Sequence, residues 1–192
     1  MALLRAQVVA GDRELGERFI ALIDPLRFPD GGVPEAQVRE IRRLKARMEA
    51  ERLPRGADAT LHTKLGRGGL SDVEWVAQLL QMQHAYAYPT LRTPETLPVL
   101  AAAESAGLLS SSDAQALRAA WRLATNVRNA VMLVRDRASD LVPTDIRDLA
   151  GVGFVMGYPM GASGQLIEDY RRVTRRARQI VDRVFYGEDS LR

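Results

Sequence analysis

Lys64 and Arg67 lie on either side of Gly66, Gly68-Gly69 follow at once, and from Ser71 to Gln81 the apolar residues repeat at helical spacing. Two cations on a glycine-rich loop ahead of a helix suit anion binding. Backbone N–H groups point out of a helix N-terminus, the dipole favours negative charge there, and Lys64 and Arg67 add to it. The same residues also suit a purely structural turn. Adjacent glycines are wanted wherever φ is positive or a ligand or another backbone comes close. Asp72 and Glu74 already put negative charge on that helix end, and Ser71 with Glu74 has the spacing of a capping box. On the residues alone both readings stay open.

Several chemistries are excluded. The loop lacks the Lys-Ser/Thr ending of a P-loop and has no strand before it, and it does not fit a dinucleotide fingerprint. Asp72 and Glu74 are two residues apart, about 200° around a helix, so they do not make a paired-carboxylate site; one can cap while the other faces a partner. Trp75 reads as a core or interface aromatic in preference to a base-stacking platform. His62 and His84, the two histidines, lack metal-ligand spacing and read as polar surface residues. There is no cysteine, hence no disulfide, thiolate nucleophile or cysteine-based zinc site. No catalytic residue and no metal ligand stands out.

The elements that must position this loop read as helices throughout, with no convincing alternation of period two. Residues 1–10 look like the end of an element whose beginning is missing. A short helix with Leu15, Phe19, Ile20 and Leu22 should stop at Asp24-Pro25. Pro34 opens a helix with an apolar stripe of Val38, Ile41, Leu44 and Met48. Its basic residues, Arg39, Arg42, Arg43, Lys45, Arg47 and Arg52, suggest an exposed surface laced by i, i+4 pairs. The helix stops at 53–56, and a long connection, 54–70, leads into the glycine-rich stretch. The helix from Ser71 should reach about Ala87. Thr93 should cap a short helix, Ser111 or Ser112 a long one over 112–136, Thr144 or Asp145 another, and Ser163 the last. That last helix carries a seam of Leu166, Tyr170, Val173, Ala177, Ile180 and Val184, with arginines on its other faces. The fold class is all-α: a bundle of about six to seven helices over 34–187, an N-terminal segment over 1–33 and a frayed tail over 188–192. The net charge is +3 with pI near 9.6, so an acidic partner is compatible with the arginine faces. No apolar run is long enough to span a membrane, and the protein reads as cytoplasmic.

The stretch HTKLGRGGLSDVEWVAQLLQMQHA at 62–85 resembles the Gly-Gly motif of glutamine synthetase adenylyltransferases, and more loosely that of the PII uridylyltransferases. IRRLKARMEAERL at 41–53, ATNVRNAVMLVRDRASDLVP at 124–143 and YRRVTRRARQIVDRVFYG at 170–187 resemble the actinobacterial, bifunctional adenylyltransferase/adenylyl-removing form. The likeness is to its C-terminal helical domain, which follows a nucleotidyltransferase domain. It implies AMP transfer from ATP to a tyrosine of glutamine synthetase, and phosphorolytic removal of that AMP, by a much longer chain. There a Gly-Ser motif and an Asp-x-Asp pair hold magnesium and phosphates. Neither motif stands here, so this chain should be catalytically silent, with ATP and magnesium belonging to the full-length enzyme. The implied role is supporting. Lys64, Arg67, Gly68 and Gly69 would form a cleft-facing loop, open and mobile in this chain alone, with the two glycines admitting the nucleotidyltransferase domain. Asp72, Glu74, Trp75, Arg171 and Arg175 are interface candidates. The implied partners are that domain, glutamine synthetase and a PII signalling protein, with no membrane and no nucleic acid. The competing reading is an independent helical interaction module whose arginine faces meet an acidic protein or nucleic acid.

Overall fold

The computed structural model describes residues 1–54 and 56–187; the tail expected to fray at 188–192 lies outside them, as does Arg55 in the expected helix stop. Seven α-helices and no strand occur among the described residues, the all-α bundle that the periodicity predicts. They are α1 (Arg13–Arg27), α2 (Glu35–Arg52), α3 (Leu70–His84), α4 (Thr96–Ser105), α5 (Ser111–Arg135), α6 (Ile146–Val155) and α7 (Ser163–Val181), the last running on into a π-helical turn, Asp182–Tyr186. Among the described residues no helix is long and apolar enough to cross a membrane.

The hub is α5, which packs against α3, α4, α6 and α7. Leu117, Ala120, Ala124, Val127 and Val131 are fully or almost fully buried along it at alternating steps of three and four. The alanines in this stripe let neighbouring backbones come close, while Leu117, Leu100 and Leu166 fill the space between helices. Each such leucine contributes about 1.5–3 kcal/mol on leaving water. The α7 seam is buried as expected at Leu166, Tyr170, Ala177 and Ile180. Thr174 takes the inward place next to the half-buried Val173, because its hydroxyl is satisfied by donating to the Tyr170 carbonyl at 2.8 Å.

Several boundaries differ from the sequence reading, each for a local reason. Pro25 does not end α1: it sits in the last turn, and Phe28 N–H still donates to the Asp24 carbonyl. Ser110, not Ser111 or Ser112, caps α5 by accepting from Asp113 N–H. Asp145 caps α6 as expected. Thr93 and Ser163 are not caps; α4 and α7 start from Glu95 and Ala162 without a side-chain cap bond. The end of α3 comes at His84, short of Ala87. On α2, Leu44 is exposed and Lys45 is buried, the reverse of the expected stripe.

Candidate functional site

The glycine-rich loop is internally bonded: Gly66, Gly68 and Gly69 are buried, while Lys64 and Arg67 stand exposed as the open reading expects. Residues 61–63 run against 140–142: Val142 N–H donates to the Leu61 carbonyl, Thr63 N–H to that of Asp140, and His62 makes an isolated antiparallel bridge with Leu141. Leu65 N–H donates to His62 Nδ1 at 3.0 Å, so this histidine is buried with that nitrogen as an acceptor. Burial pushes its pKa down, with Asp140 partly offsetting the effect. The loop then folds over the start of α3. Gly69, Leu70 and Ser71 N–H donate to the carbonyls of Gly66, Thr63 and Lys64 at 2.9–3.0 Å. Those donors are the ones an anion would have used, and the chain has filled them itself.

The capping box does not form. The helix begins at Leu70 with Gly69 as its N-cap and no side-chain cap bond. Ser71 lies inside the first turn, and Glu74 pairs with Arg5 at 3.1 Å. Asp72 does the work from the other direction: its Oδ2 accepts from Gly68 N–H at 2.7 Å. The glycines are required by this chain's own packing. Gly68 has φ +73°, and a Cβ there would stand 1.9 Å from the Thr174 carbonyl oxygen on α7. At Gly69 a Cβ would meet the Thr63 oxygen at 2.7 Å. The room expected for another domain, or for a cofactor, is therefore occupied by α7 and by the loop itself.

Asp72, expected at an interface, is instead the centre of a buried ion cluster that the sequence reading missed. Its Oδ1 accepts from Lys45 Nζ at 2.5 Å, and its Oδ2 pairs with Arg178 at 3.2 Å. Lys45 also pairs with Glu49, and Arg178 reaches Glu49 at 2.9 Å and Asp182 at 2.7 Å. Tyr186 closes the group by donating to Glu49 at 3.0 Å. Burial alone would push the Glu49 pKa up, but Lys45 and Arg178 hold its carboxyl below the usual range. Burial, helped by Glu49, pushes the Tyr186 phenol up. The π turn after α7 sets Phe185 into the core and Tyr186 over the cluster. Trp75, another interface candidate, packs inward edge-to-face on Phe185 at 6.0 Å.

Beside the cluster a cleft of about 320 Å³ opens between α2, the loop and α7, with Glu49, Asp72 and Arg178 on one wall and Arg67 on the rim. Both carboxylates are committed to Lys45 and Arg178, so these residues do not fit a magnesium site. Lys64 and Arg67 are exposed and carry no ion pair among the described residues. The structure thus brings Arg67 to Asp72 and the cluster, and keeps Gly68 and Gly69 beneath it. Arg171 is spent on Asp58 and Thr60, at 3.1 and 3.2 Å. Arg175 is exposed and unpaired among the described residues.

A family model described as GlnD PII-uridylyltransferase matches residues 39–185, which hold most of α2, the loop, all of the cluster but Tyr186, and the whole of α3 to α7. The chain belongs to this family. Within it, the similar curated proteins are named bifunctional glutamine synthetase adenylyltransferase/adenylyl-removing enzyme. One from Streptomyces avermitilis is 67% identical over 97% of this chain and 19% of its own length. One from Streptomyces coelicolor is 62% identical over 97% of this chain and 19% of its own. One from Corynebacterium diphtheriae is 50% identical over 99% and 18%. The chain therefore spans about a fifth of the length of the curated relatives it matches.

Proposed function

We propose that this chain is the helical domain that supports AMP transfer from ATP to a tyrosine of glutamine synthetase within a longer adenylyltransferase. The observation that carries the reading is the identity of 67%, over nearly the whole chain, to a protein named for that activity. The geometry supplies the role. A loop whose backbone is pinned by its own glycines, by α7 and by the ion cluster presents Arg67 at a cleft and Lys64 in the open three residues earlier. Cations held in place stabilise a transferring phosphoryl group without reorganising during the reaction. We assign the facing surface to the phosphate-handling cleft of the nucleotidyltransferase domain. ATP and magnesium are then held by that domain, and glutamine synthetase is the acceptor. Glutamine synthetase or a PII protein would reach the remaining exposed cations, Arg175 first. The competing module reading is weakened by how many arginines are internally paired: Arg171 to Asp58, Arg172 to Asp169, Arg178 to the cluster and Arg183 to Asp113.

The test is AMP transfer. Mixed with ATP, magnesium and glutamine synthetase, this chain alone should leave no AMP-tyrosine, whereas a longer chain that includes the nucleotidyltransferase domain should. Transfer by this chain alone, or none by the longer one, overturns the reading.

A further inference from the structure

Of the fifteen residues of α1, Ile23 is the one that is buried. The stripe beside it around the helix carries Leu15, Phe19, Leu22 and Leu26, exposed by 65, 46, 72 and 70%. Their steps are four, three and four, the spacing of a packing seam, and Val9, 83% exposed, precedes it. A helix this short is marginal in water unless an apolar face is covered. Here the core-facing side is held at one end, by Ile23 and by Phe28, which sits against Arg27 and Arg92 at 5.1 and 5.4 Å. Four large side chains in register are left to water, more than scattered surface apolar residues account for.

The comparisons say what covers them. The family match begins at residue 39, after α1 has ended. The Streptomyces avermitilis relative matches over 186 of the 192 residues, so it includes α1. The helix is thus shared by long adenylyltransferases but lies outside the segment that the family model matches, and those relatives carry about four fifths of their length beyond this chain. We infer that α1 is structurally an element of the nucleotidyltransferase domain, and that Leu15, Phe19, Leu22 and Leu26 insert into that domain's apolar core as the rigid joint between the two. This rests on the functional reading above for the identity of the neighbouring domain. The joint lies on the same polypeptide as the rim carrying Arg67, and it would fix the rim's distance from the transferase cleft.

Hydrogen exchange on this chain and on the longer enzyme tests it. In this chain the α1 amides exchange freely, and Leu22→Asp leaves the melting temperature unchanged. In the longer enzyme the same amides slow by about tenfold or more, and Leu22→Asp abolishes that protection. Equal exchange in both proteins overturns the inference. So does a concentration-dependent dimer of this chain that protects α1 and is dissociated by Leu22→Asp, since the occupant is then a second copy. The exchange readout does not depend on AMP transfer. A longer enzyme that protects α1 but does not modify glutamine synthetase sinks the functional reading alone, and one that transfers AMP with α1 unprotected sinks this inference alone.

Discussion

Gly68→Ala should lower the unfolding free energy of this chain by roughly 3–5 kcal/mol, read by urea denaturation. Two costs add. A left-handed φ, here +73°, costs a non-glycine residue about 1–3 kcal/mol. The new Cβ would also stand 1.9 Å from the Thr174 oxygen, 2.7 Å from its carbonyl carbon and 3.1 Å from Arg178 N, all of them backbone atoms of a buried helix. Backbone cannot rotate away as a side chain can, so the loop and α7 must separate, taking Arg178 from Asp72. Gly107→Ala is the control. Its φ is +72°, but a Cβ there meets nothing within 4 Å, so it should show the conformational cost alone. Equal effects at the two positions would mean that close approach to α7 is not why Gly68 is a glycine.

Asp72→Asn should cost about 3 kcal/mol or more, the usual result of leaving a buried charge short of its partner. The side chains of Asp72 and Lys45 are 4 and 3% exposed. The variant keeps the shape but leaves Lys45 to Glu49 alone. Lys45→Met removes the charge that Asp72→Asn strands, so the double variant should be more stable than the sum of the single effects by about 1 kcal/mol or more. Strict additivity would contradict the cluster. Acid should act in the same direction. The depressed Glu49 carboxyl contributes stability that is present above its unfolded value of 4.5 and lost as pH falls through its folded value.

Much of the fold was legible because burial in helices leaves a period. The long α5 and the α7 seam came through, and α6 took its cap from Asp145. The candidate site was legible only in part. The sequence singles out the right loop, since clustered glycines always signal a backbone demand, but it does not say whose backbone approaches. Here it is Thr174, more than one hundred residues away. Lys45 was hidden by its charge. Val38, Ile41, Lys45 and Met48 are spaced by three, four and three, so the stripe runs through Lys45 rather than Leu44, and a hydrophobic template rejects it. The i, i+4 partner Glu49 was visible but reads equally as a surface pair. Asp72 was taken for a dipole-facing acid because no local pattern reveals Lys45 and Arg178 converging on it. The backbone of the glycine-rich loop looked open for the same reason: the carbonyls that fill the α3 N-terminus come from a fold-back over 63–66 with no motif of its own.

The claim at the centre is that the loop is a rigid platform whose purpose is to hold Arg67. Arg67→Ala in the longer enzyme measures it most directly, through the rate of AMP-tyrosine formation on glutamine synthetase, with the stability of this chain carrying the same substitution measured alongside. The platform does not use the Arg67 side chain, so stability should stay within about 0.5 kcal/mol. Transfer should slow by roughly tenfold, or about 1.4 kcal/mol of lost transition-state stabilisation. Unchanged transfer together with a loss of several kcal/mol in stability would contradict the account and make Arg67 a structural residue of the turn.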